Sequence, residues 1–121
     1  MTAKQNFARY RNQLSFQRFP EYLKWMKEKN PNLDLHHLFC SNGKLKFTDA
    51  FVVPIEHFFH LGKVHLDRAK YCFEFLQGSL QWFCYYCIEK GLCTEEEFPK
   101  DMEPETLANF IELIYHKTRE A

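Results

Sequence analysis

Histidine is the residue type whose placement in this chain first asks for a chemical reading. Five of the six histidines lie between His36 and His65: the adjacent pair His36-His37, then His57, His60 and His65. A neutral imidazole titrates near pH 7, so it can act as a general base, and its ring nitrogens are common Zn²⁺ ligands. Adjacent residues on a strand point to opposite faces, so His36 and His37 cannot do the same job. One can hold a metal while the other meets a substrate. His60 and His65 come from the following segment, with Gly62 between them to adjust their separation. Three imidazoles from a strand and the next element can hold Zn²⁺ or another divalent ion and leave a position open. His116 stands alone in the last third of the chain and reads as structural.

These side chains need elements to position them. Leu33 to Phe39 reads as a strand, and Ser41-Asn42-Gly43-Lys44 as a turn, because Asn-Gly accepts the positive φ of a tight hairpin. Lys44 to Pro54 reads as the return strand, most apolar at Ala50-Phe51-Val52-Val53 and closed by Pro54, which cannot donate to a ladder. Ile55 to His60 predicts a turn or two of helix, interrupted at Gly62 and resumed near Leu66 with Asp67 at its start. Upstream, a helix is expected over Ala3 to Gln13. A second opens at Pro20, carries the stripe Phe19, Tyr22, Leu23, Met26, and ends at Asn30-Pro31. Downstream, apolar residues at 3–4 spacing from Ala69 to Ile88 read as one long helix or two broken near Gly78, with Gly91 as its cap. A last helix is expected from Glu105 to Lys117 with Leu107, Phe110, Ile111 and Ile114 inward.

The expected fold class is therefore α+β and mainly helical, a β-hairpin-plus-helix unit set among about four helices. At 121 residues it is expected to be a single domain. Residues 1–30 would be a basic helical segment, 33–66 the hairpin-plus-helix finger, and 67–121 helical support.

The order His36-His37, a glycine-containing hairpin, Asp49, the strand end Val53-Pro54-Ile55 and a His-rich helix resembles the HNH nucleases, also called ββα-metal or His-Me finger endonucleases. It is most similar to small phage- and prophage-type members. The resemblance spans residues 35 to about 66. It implies a divalent metal ion (Zn²⁺, Mg²⁺ or Mn²⁺), with His36, His60 and His65 as ligands and His37 as the general base. It places Asp49 where the family orients that base, and it implies DNA as substrate. Two departures follow. Phe59-His60 stands where the family often has His-His, which keeps His57 open as an alternative ligand. The His60–His65 spacing is five rather than the commoner four. The resemblance leaves three functions to weigh: an active endonuclease, an inactive metal- or nucleic-acid-binding relative, and a small partner-binding helical protein.

Charge bears on the DNA reading. Lys+Arg and Asp+Glu are 16 each, but residues 1–30 balance to +5, 31–70 to +1 and 71–121 to −6. Arg9, Arg11, Arg18, Lys24 and Lys27 are the candidate phosphate contacts, and Glu95-Glu96-Glu97 would face away from a nucleic acid. No run of about 18 apolar residues is present to span a membrane. The N-terminus lacks a signal-peptide pattern, and five Cys read as reduced thiols, so a cytoplasmic location is expected. Cys84-x-x-Cys87 lies in an apolar helical run and reads as buried hydrophobes, with Cys93 as a third thiol short of a fourth zinc ligand. Of the aromatic run Trp82-Phe83, Tyr85-Tyr86, core packing is expected ahead of base stacking.

Overall fold

A computed structural model describes residues 19–38, 50–64, 66, 71 and 74–120 of the chain. The expected N-terminal helix, the Asn42-Gly43 turn and most of the segment between Leu66 and Phe75 lie outside the described residues.

Helix α1 (Pro20–Lys29) starts and stops on local signals. Pro20 occupies the first turn, where a missing N–H costs nothing. Asn30 ends the helix, its backbone N–H bonded to the Met26 carbonyl at 2.9 Å, ahead of Pro31. Phe19, Tyr22 and Met26 are buried as the stripe predicts, and Trp25 joins them.

Strand β1 (Asp34–His37) pairs antiparallel with β2 (Val52–Ile55), His36 opposite Val53 and Leu35 opposite Pro54. The Leu38 N–H donates to the Phe51 carbonyl at 2.8 Å and carries the pairing one step past β1. Pro54 does not close the return strand, as its sequence suggested, but sits within it. A two-stranded sheet consists of edges only, so a strand position without an N–H is tolerated.

Beyond β2 the chain turns at once into helix α2 (His57–Phe59), which continues as a π turn over His60–Val64. Gly62 was expected to break this segment. It lies instead inside the wider turn, where i→i+5 bonding absorbs the irregularity.

Helix α3 (Leu76–Glu89) runs unbroken through Gly78. It ends in a Schellman motif: Gly91 has φ +68°, its N–H bonds to the Ile88 carbonyl at 3.1 Å, and the Leu92 N–H bonds to the Cys87 carbonyl at 2.8 Å. Glycine tolerates that left-handed conformation without Cβ strain. A short 3₁₀ turn (Glu95–Glu97), closed by a capping box between Thr94 and Glu97, leads to helix α4 (Pro104–Glu120). Leu107, Phe110, Ile111 and Ile114 are all buried, as their spacing predicts.

One core cluster joins these elements. Phe83 of α3 meets Phe19, Tyr22, Tyr86 and Phe110, with ring centroids 5.0–6.4 Å apart, a range in which tilted aromatic pairs attract. The hairpin contributes Leu38 and Ala50 through Val53 to the same cluster. The sheet is thereby anchored to α3, and α2 stands on the sheet. Among the described residues no helix is long and apolar enough to cross a membrane.

Candidate functional site

Asp34 and His36 are two apart on β1 and so share one face of the strand. β2 ends opposite Asp34 and feeds directly into α2 through Glu56, which folds the helix back over that face. Glu56 fixes the entry. Its carboxylate accepts the Phe58 and Phe59 backbone N–H groups at 3.0 and 2.9 Å, two of the donors that the start of a helix leaves unpaired. Those two bonds, Phe58 first, hold the Glu56 carboxyl below the usual carboxylate range.

The result is a continuous polar bridge between strand and helix. Asp34 Oδ2 lies 2.7 Å from His57 Nδ1 and 3.0 Å from His60 Nδ1. On the far side of the His60 ring, Nε2 lies 3.1 Å from His36 Nδ1, the two rings meeting edge to face with centroids 4.9 Å apart. His36 is 5% exposed, and the His60 side chain is nearly as enclosed at 13%. The hydrogen bonds from His60, then His57, hold the Asp34 carboxyl below its ordinary value, so it accepts from both rings at neutral pH.

That acceptance decides what His60 can do. With Nδ1–H committed to Asp34, neutral His60 carries its lone pair on Nε2, aimed at His36. The two facing nitrogens then either share one proton-mediated bond or converge on a cation. Zn–N bonds of about 2.0–2.1 Å at a tetrahedral angle place two ligand nitrogens about 3.3 Å apart. The observed 3.1 Å is close to that edge length, and a carboxylate behind a ligating imidazole is the usual support for such a ligand. His36 Nδ1 and His60 Nε2 are thus spaced as two ligands of one divalent ion would be.

Among the described residues no group of three or more His, Cys, Asp and Glu assembles to hold a metal, so a third donor would come from beyond them. His65, the third ligand that the resemblance implies, lies outside the described residues. Asp49, Arg9, Arg11 and Arg18 lie outside them as well. Comparison with protein-family models, with curated proteins and with solved structures finds no match.

The remaining predicted residues fall as follows. His37 is half-buried on the face of β1 opposite His36, as strand alternation requires. His57, the alternative ligand, gives its Nδ1 to Asp34, and its side chain is 53% exposed. Lys24 and Lys27 lie on the exposed side of α1, and Lys27 Nζ donates to the Leu33 carbonyl at 2.8 Å, tethering the approach to β1. His116 is exposed on α4, 3.6 Å from Glu112. Asp34 is the member of this cluster that the spacing argument passed over. Its signal was the period of two: once His36 is assigned to a face, Asp34 must share it.

Proposed function

We propose that the chain is a metal-dependent endonuclease of the HNH type, hydrolysing DNA phosphodiester bonds at the histidine bridge. The observation that carries this reading is the 3.1 Å approach of His36 Nδ1 to His60 Nε2, with Asp34 bonded behind His60. It occurs where a strand–strand–helix unit brings the first imidazole and the helical one together. His36, His60 and His65 would hold a divalent ion, which when bound supplies Lewis-acid stabilisation of charge on the phosphoryl and leaving oxygens.

The chain's own groups divide the remaining work. Asp34 keeps His60 in the tautomer whose Nε2 is free to ligate. His37, on the other face of β1, takes a proton from water as that water's oxygen attacks phosphorus. The bond from phosphorus to the 3′-oxygen breaks, and the leaving oxygen regains a proton from solvent. Asp49 orients His37 in this scheme. Arg9, Arg11, Arg18, Lys24 and Lys27 supply phosphate contacts, so binding weakens as salt rises.

The test is nicking of supercoiled plasmid with Mg²⁺, Mn²⁺ or Zn²⁺. His37→Ala is expected to lower the rate about 100- to 10,000-fold, the usual contribution of a general base, while still binding metal in a calorimetric titration. Equal nicking by wild type and His37→Ala removes His37 from the chemistry. A wild-type chain that neither binds metal nor nicks removes the whole reading.

A further inference from the structure

Helix α3 carries no charged residue from Phe75 through Ile88. Its inner face, with Leu80, Phe83, Cys84 and Cys87 among others, is in the core. Its outer face is not. Gln77 and Gln81 are exposed, Tyr85 is 72% exposed, and Ile88 is 41% exposed. The other two long helices treat solvent differently: α1 presents Glu21, Lys24, Lys27 and Glu28, and α4 presents Glu105, His116 and Arg119. The exposed face itself is uncharged, and the charges near it stand at its margins, Lys29 and Glu89 on one side and Glu95, Lys100 and Asp101 on the other.

The outer face also has relief. Two grooves, of about 630 and 640 Å³, flank it and share Gln81, Tyr85 and Ile88 as a common ridge. Trp25 and Trp82 wall one of them, and Phe98 and Met102 wall the other. Seven residues before Tyr85, on the same side of the helix, is Gly78, where an added Cβ would meet no atom within 4 Å. The face thus pairs one large projecting ring with one gap two turns away.

We infer that this face of α3 docks against the same face of a second copy of the chain, antiparallel about a two-fold axis between Gln81 and Trp82. That arrangement sets Tyr85 of each copy over Gly78 of the other, and the surface is self-complementary as a two-fold interface must be. It brings the amides of Gln77 and Gln81 within reach of one another and of the tyrosine hydroxyls. The chain's zero formal charge leaves no net repulsion between copies. The helix pair alone is only about 21 Å long at 1.5 Å per residue, against an interface of roughly 800 Å² per partner in a stable complex. The groove walls from α1 and residues 98–102 widen it.

Sedimentation equilibrium of the full chain, from micromolar to near-millimolar concentration, tests this. The expected result is a reversible monomer–dimer equilibrium whose dissociation constant rises at least about tenfold in Tyr85→Glu and in Gly78→Lys, since each sets a charge in the buried face. The thermal midpoint of the dilute monomer is expected not to fall in Gly78→Lys, whose side chain enters open space and whose helix propensity exceeds that of glycine, so that variant decides the matter should Tyr85→Glu fold poorly. A chain monomeric throughout the range overturns the inference. So does a dimer as tight in both variants as in wild type.

Discussion

The histidine bridge and the thiol trio are both clusters of residue types that can serve as metal ligands, and the fold treats them in opposite ways. Cys84, Cys87 and Cys93 are all buried. Burial pushes the Cys84 thiol up to about 12, raises Cys87 further, and raises Cys93. A metal binds thiolate, so thiols held in their neutral form are poor ligands and behave as small hydrophobes. The imidazoles of His36 and His60 are also enclosed, but each ring has its protons directed by a neighbour, and an ionised carboxylate stands behind one of them. Residue type nominates a ligand; the surrounding charges and hydrogen bonds decide whether it can serve.

Variants of the two clusters can break that contrast. The largest effect is expected from His60→Ala, which removes a proposed ligand and its link to Asp34. Calorimetric titration with Zn²⁺ or Mn²⁺ should show binding lost, whereas Cys87→Ala should bind as wild type does. Retained binding in His60→Ala, or loss in Cys87→Ala, would reverse the roles of the two clusters. Next in size is Asp34→Asn, which keeps the shape and removes the charge. Metal affinity should fall about 10- to 100-fold, as when other supporting carboxylates are removed, with little change in the urea midpoint.

The thiols have their own signature in pH. The folded state raises the Cys84 thiol from 9.0 to about 12, so the stabilisation tied to its neutral form is complete below pH 9 and is lost as pH rises towards 12. Urea unfolding should therefore show a midpoint falling above pH 9, and a slope less steep in Cys84→Ala. An identical slope in that variant would mean the thiol is as free to ionise folded as unfolded. The smallest effect concerns neither cluster directly. Thr94→Ala removes half the capping box that leads out of Cys93 and should cost about 1 kcal/mol in urea unfolding, leaving metal binding untouched.

Legibility in the sequence followed the range of the forces involved. Pro20, Asn30-Pro31 and Gly91 mark helix ends through their own backbone preferences, and each marks an end observed here. The stripe Leu107, Phe110, Ile111, Ile114 identifies the buried face of α4, because period alone sets which residues share a side. The opposite facing of His36 and His37 was legible for the same reason. Gly62 was misread as a break because its local flexibility argues for one, while the turn is held open by bonding along the whole 60–64 segment. Pro54 was misread because strand position, not residue type, decides whether a missing N–H matters.

The sequence by itself determined that imidazoles cluster near one hairpin, that helices end at Asn30 and ahead of Gly91, and which residues of α4 face inward. Local backbone preference and periodicity are sufficient for each. Only the tertiary structure decided that Asp34 stands behind both His57 and His60, that His36 and His60 meet at 3.1 Å, and that, among the described residues, Tyr85 and Ile88 of α3 stay exposed. Those facts depend on how β2 turns into α2 and on which face of α3 the aromatic core fills. The first starts from a local cap, the Glu56 carboxylate on the Phe58 and Phe59 N–H groups, but both need packing between residues far apart in the chain, which no local pattern encodes.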